Sequence, residues 1–155
     1  MPEYIYDINE LDLNKTYSYA DYLLWKFQER IELIKGKIFK MSPAPNVFHQ
    51  QISRTFGGKF YLYFESKSCE YFMAPFDVAL VDQKKSSSDK TIFTILQPDL
   101  CVICDAKKIA DGKKCVGAPD LIIEILSPGN SKKEMDIKFD LYEEAGVLEY
   151  WIVSP

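Results

Sequence analysis

Hydrophobic and polar positions recur along this chain with two different periods, and the changes of period mark its elements. Residues 1–15 keep neither period and read as an irregular lead-in. A helix is expected from about Ser18 through Ala20-Asp21-Tyr22-Leu23-Leu24-Trp25. From Arg30 to Met41, two apolar runs flank Lys35-Gly36, the pattern of a hairpin. Ser42-Pro43-Ala44-Pro45 breaks it. Asn46 then suits the N-cap of a long helix on which Val47, Ile52, Phe56 and Phe60 roughly keep helical spacing.

The period changes again at Cys69. Glu70 to Val81 reads as one or two strands, and Asp82 to Lys90 as a polar loop, expected to be the most mobile segment. Thr91 to Cys104 is strand-like, and Asp105 to Gly117 reads as a polar, basic connection. Ala118 to Leu126 is an apolar strand with one acid inside it, ended by Ser127-Pro128-Gly129-Asn130. The last helix is the clearest element. Ser131 and Glu134 form a capping box at its start, and Gly146 suits its C-terminal end. Leu148 to Val153 reads as a strand. Strand, helix, strand in that order predicts a βαβ unit and a partly parallel sheet. The sequence stops just after a strand, which leads us to expect further C-terminal elements.

Composition narrows the class. A chain of 155 residues favours one domain spanning 1–155, and 47% hydrophobic residues are enough for a packed core. The net charge of −4 counts against a nucleic-acid binder, which more often carries a basic footprint, although a local basic patch is compatible with it. Of the cysteines Cys69, Cys101, Cys104 and Cys115, the Cys101-Val-Ile-Cys104 pair lies in a strand-like run. Alternation sends its thiols to opposite faces. With no second pair and a distant lone histidine, a zinc site lacks its four ligands. The cysteines are expected to be small buried side chains in a reducing compartment. No run approaches the roughly 20 apolar residues of a membrane span. The first residues lack a secretory leader, so the cytoplasm is expected.

Three polar residues stand where apolar ones would be cheaper. Asp99 opens an apolar strand in Gln97-Pro98-Asp99-Leu100, and Glu124 sits inside Leu-Ile-Ile-Glu-Ile-Leu. An isolated buried carboxylate is very unfavourable, so each needs a cation, a donor or a proton. Two carboxylates on neighbouring strands could share a hard ion such as Mg²⁺. At 100° per residue, Lys138 lies among Met135, Leu141, Tyr142 and Ala145, mid-way across its helix's apolar face. Structural alternatives exist for each. Asp99 and Asp120 both follow a proline at a strand start, where Asp organises turns, and Glu124 with Lys138 could be an inert ion pair.

Gln97-Pro98-Asp99-Leu, Ala118-Pro119-Asp120-Leu-Ile-Ile-Glu124-Ile-Leu-Ser127-Pro128, Lys138-Phe-Asp-Leu-Tyr142 and Ala145-Gly146-Val147-Leu-Glu149-Tyr150-Trp151-Ile-Val resemble the Uma-type putative restriction endonucleases of the PD-(D/E)XK nuclease superfamily. Glu32-Leu-Ile-Lys-Gly36-Lys-Ile, Met41-Ser42-Pro43 and His49 resemble its N-terminal pattern, and the likeness runs from about residue 20 to the end. The resemblance implies an α/β fold with a mixed central sheet flanked by helices, the restriction-endonuclease-like core. It implies a Mg²⁺- or Mn²⁺-dependent endonuclease acting on DNA, with Asp99 and Glu124 as metal ligands. Leu126 stands where the superfamily lysine is expected, and Lys138 is the match from the following helix. Glu32 is similar to an additional acid that completes such a site. Glu134 stands where the family has Asp.

His49 is read either as a core or capping histidine or as a residue behind the site, and Asp77 as facing either the site or, more in keeping with its alternation, water. A homodimer is compatible with the restriction-type likeness. Two other functions compete: a catalytically inactive nuclease fold that binds nucleic acid or a protein partner, and a hydrolase of something other than DNA.

Overall fold

A computed structural model describes residues 1–42, 45–81 and 88–155. Part of the Ser42–Pro45 breaker and most of the Asp82–Lys90 loop therefore lie outside the described residues. After a 3-10 turn at Ile8–Glu10, α1 (Tyr19–Tyr22) opens with a capping box in which Ser18 and Asp21 satisfy one another's backbone N–H groups. It is shorter than its apolar pattern suggested. β1 (Ile31–Ile34) and β2 (Lys37–Lys40) form the expected hairpin. Lys35 and Gly36 both adopt positive φ, 50° and 77°, the two-residue turn that matches strand twist. A Cβ on residue 36 would also collide with Thr16.

α2 (Val47–Phe64) is capped by Asn46, whose side chain accepts from the His49 N–H. It packs on the four-stranded sheet through Ile52, Phe56 and Phe60, against Leu100, Ile123 and Ile125. That sheet runs β3 (Glu70–Met73), β6 (Leu100–Ile103), β8 (Leu121–Ile125), β9 (Glu149–Val153), with β8 and β9 parallel across α3 (Lys132–Ala145). The predicted βαβ unit is there, with Ser131 capping α3 and Gly146 ending it at φ 86°.

The expected mixed α/β arrangement is present, built on two mixed sheets. The other runs β2, β1, β5 (Ile95–Leu96), β4 (Val78–Ala79), β7 (Cys115–Val116), with β4 and β7 parallel. The run read as one strand from Thr91 to Cys104 divides at Gln97-Pro98-Asp99, and the chain crosses there from one sheet to the other. Pro98 has no N–H to give a ladder, so the break falls where pairing is weakest. α3 seals the junction: Leu141 and Tyr142 pack with Ile34 and Leu96 of one sheet and Cys101 and Ile122 of the other.

Cys101 and Cys115 are buried thiols, as expected, but Cys69 and Cys104 are joined in a disulfide. They lie one position beyond the antiparallel pair Glu70 and Ile103, so register alone brings them face to face. The reading of all four as unpaired is corrected by that cross-strand placement. Such a bond is out of keeping with a reducing compartment.

Candidate active site

Alternation along β8 decides where Glu124 goes. Ile123 and Ile125 face α2, whereas Ile122 faces α3, and Glu124 shares the side of Ile122. In β1 the same rule puts Glu32 on the side of Ile34, which also faces α3. Two strands from two different sheets thus present carboxylates to one helix, and Lys138 is the residue they meet. Its ammonium donates to Glu124 Oε1 at 3.0 Å and lies 3.2 Å from each oxygen of Glu32. One helical turn on, the Tyr142 hydroxyl donates to Glu124 Oε1 at 2.9 Å.

Asp99 reaches the same place from the sheet crossing. Its Oδ2 accepts from the Ile125 N–H at 2.7 Å, beside Glu124, and its Oδ1 lies 3.1 Å from His49 Nε2. Both oxygens are therefore fixed, one by a strand and one by a helix. His49 is 8% exposed, and its Nδ1 is buried with no partner among the described residues. Gln97, immediately before Pro98, ties the five-stranded sheet to α1. Its backbone N–H donates to Glu32 Oε1 at 2.9 Å, and its side-chain amide donates to Asp77 at 2.9 Å and to the Tyr22 hydroxyl at 3.2 Å.

Electrostatics are short of positive charge here. Burial raises the Glu124 carboxyl and Lys138 lowers it, while Glu32 and Asp99 push it up again, to about 7. Burial alone would lower the Lys138 ammonium, but Glu124 and Glu32 outweigh it and hold it above the ordinary lysine value. Tyr142 is raised by burial and by the same two acids. Two carboxylates therefore share the Lys138 ammonium, and a third, Asp99, lines the same cavity. That cavity, of about 70 Å³, is also lined by His49 and Arg30. Arg30, His49, Gln97 and Asp99 also line a neighbouring cavity of about 490 Å³.

Among the described residues, no three His, Cys, Asp or Glu side chains form a ready-made metal cage. Mg²⁺ does not require one, since it keeps several waters and binds through one or two carboxylates plus substrate oxygens. The donor set is all oxygen and the local charge is in deficit, so Asp99 and Glu124 fit such an ion.

Asp99, Glu124, Lys138 and Glu32 thus come together. Asp120 does not join them: it accepts from the Cys104 N–H at 2.7 Å, between the end of β6 and the start of β8. Asp77 turns inward to Gln97 and the Tyr19 hydroxyl, so the expectation that it faces water is corrected. Glu134 lines the cavity from the first turn of α3. Sequence reading missed Gln97, Tyr142 and Arg30. Tyr142 carried a signal, standing four residues after Lys138 on the same face, whereas a polar residue before Pro-Asp carried none.

Residues 19–155 match the profile of the Uma2 family, described as "Putative restriction endonuclease". No curated protein matches the chain. Among solved structures it is similar to a putative nuclease belonging to DUF820 from Anabaena variabilis, at 19% identity and a TM-score of 0.69, over 90% of this chain and 74% of that one. At that identity the likeness is one of fold, the restriction-endonuclease-like α/β arrangement. No helix among the described residues is long and apolar enough to cross a membrane.

Proposed function

Because this chain belongs to the Uma2 family of putative restriction endonucleases, we propose that it is a Mg²⁺- or Mn²⁺-dependent nuclease that hydrolyses phosphodiester bonds in DNA. The observation that carries this reading is that Glu32, Asp99 and Glu124 line one cavity with Lys138, which binds Glu32 and Glu124. Asp99 and Glu124 would hold the metal, whose chemistry when bound would be to polarise the scissile phosphate and lower the pKa of a water.

The chain's own groups do the rest. Lys138 stays protonated, because two carboxylates hold it so. It therefore does not act as a base. Its ammonium donates to the attacking water or to a phosphate oxygen and offsets the charge that develops there. Glu32, fixed by the Gln97 N–H, keeps that ammonium aimed into the cavity. Tyr142 orients Glu124 from behind, and His49 with the Ile125 N–H fixes the plane of Asp99.

One observation favours a second reading, a catalytically inactive nuclease fold that binds nucleic acid or a protein partner. Lys138 is already closed onto Glu32 and Glu124. Plasmid cleavage in Mg²⁺ and in EDTA separates the two. The nuclease reading expects cleavage by the natural protein that Asp99→Asn and Glu124→Gln each reduce by about 10²-fold or more. No cleavage with any divalent metal, alongside retained binding, favours the inactive fold. Cleavage by either variant at the rate of the natural protein sinks the assignment of the site.

A further inference from the structure

Arg30 is the one arginine or lysine lining the two cavities that is bound to no carboxylate among the described residues. Its position is built rather than incidental. The Arg30 carbonyl accepts from the Met41 N–H at 2.9 Å, which extends the β1–β2 ladder and fixes the backbone. Two residues before Glu32, Arg30 lies on the same side of its strand and so turns into the cleft. Among the described residues its one side-chain hydrogen bond is Nη2 to Gln97 Oε1 at 3.5 Å, a distance too long to use much of its donor capacity. A guanidinium has five N–H groups in a fork that matches a phosphate, and among the described residues no carboxylate and no acceptor but Gln97 meets them.

The surroundings say what would fill them. On one side lies the carboxylate cavity of about 70 Å³, where the reacting phosphate belongs. On the other lies the cavity of about 490 Å³, whose walls include Tyr22, Met73 and Pro75. That volume falls in the range of small-ligand sites, and those walls offer aromatic and apolar faces to a base. Along a nucleic acid strand, phosphates and nucleosides alternate. A strand laid from the smaller cavity into the larger carries its next phosphate past Arg30.

We propose that Arg30 binds the phosphodiester adjacent to the scissile one, and that the nucleoside between them and beyond lies in the larger cavity. This rests on the nuclease reading above. It makes Arg30 a substrate-binding residue and the larger cavity the place where the strand flanking the cut is held.

The test uses a 16-nucleotide DNA with one mapped cut, in single-stranded and duplex forms, bound in Ca²⁺. Single neutral methylphosphonates replace each phosphate around the cut in turn. For the natural protein, one replacement next to the cut is expected to weaken binding about tenfold, with Arg30→Gln weakening the unmodified DNA by a similar factor. Arg30→Gln should then be indifferent to that replacement, and its binding should lose about one unit of salt slope that Arg30→Lys retains. Two results overturn the inference while leaving the nuclease reading intact: Arg30→Gln binding as the natural protein does, or keeping full sensitivity to every replacement. Failure of the natural protein to bind or cut either DNA form overturns both.

Discussion

Two lysines are buried among the described residues, and their surroundings differ in one instructive respect. Lys114 is 6% exposed and Lys138 is 7% exposed. Lys114 meets Asp111 at 2.8 Å and Asp89 at 3.3 Å, and its ammonium lies 4.8 Å from the Tyr19 ring centroid. Both of its carboxylates keep much of their contact with water, at 34% and 44% exposure. The partners of Lys138 are buried, at 3% for Glu32 and 14% for Glu124. The acids answer in opposite directions. Asp111 feels some burial, but Lys114 and two backbone N–H groups lower it to about 2. Burial, with Glu32 and Asp99 nearby, raises Glu124 to about 7. The same ammonium thus makes a settled clamp where water shares the carboxylates and an under-neutralised pocket where it does not. A raised acid in a cleft marks a functional site more specifically than a buried ion pair does.

The sharpest way to break this contrast is to remove each cation. Lys138→Met leaves two buried carboxylates facing one another and should cost about 3–5 kcal/mol in urea unfolding at pH 8. Lys114→Met leaves hydrated acids and should cost about 1 kcal/mol or less. Equal losses would remove the distinction.

Titration sharpens it further. The folded value of Glu124 lies above the ordinary carboxyl value of 4.5. The native state therefore holds the proton longer, and the stability this group contributes is full below about 4.5 and is lost as pH rises through about 7. Asp111 has the opposite sign: its contribution is present above 3.8 and is lost as pH falls toward 2. Against pH, the stability of Glu124→Gln relative to the natural protein should therefore climb between 4.5 and 7. Asp111→Asn should instead close its deficit only in strong acid. A flat difference curve for Glu124→Gln would remove the charge deficit from the pocket.

Metal gives the next effect. Excess Mg²⁺ at pH 8 should raise the melting temperature of the natural protein by a few degrees, roughly the shift expected of a ligand well above its Kd. It should do so less at pH 5, and not at all for Asp99→Asn. Equal shifts in Lys114→Met and the natural protein would place the binding at the Lys138 pocket rather than the other. A modest effect is expected from Tyr142→Phe, which removes one donor to Glu124 and should cost about 1 kcal/mol of stability, with a smaller loss at pH 5 than at pH 8.

Elements were legible wherever local rules act. The hairpin at Lys35-Gly36, the Asn46 and Ser131 caps, the Gly146 end and the βαβ order follow from neighbours in sequence. So did the oddity of Glu124 and Lys138, since a charge on an apolar stripe is visible without coordinates. The division at Pro98 was harder to read, because a proline weakens a ladder without saying that a second sheet begins beyond it. The Cys69–Cys104 pairing was illegible for a related reason: it depends on antiparallel register between segments 35 residues apart.

The sequence by itself determined which side chains are out of place and which face of its own element each occupies, because strand and helix periods are properties of the local backbone. Only the tertiary structure decided that Glu32, 106 residues from Lys138, shares its ammonium with Glu124. It alone turned Gln97 and Asp77 inward and left Arg30 with an unused fork between two cavities. Those outcomes depend on how two sheets meet under α3, and no local period encodes the distance between surfaces that fold from opposite ends of a chain.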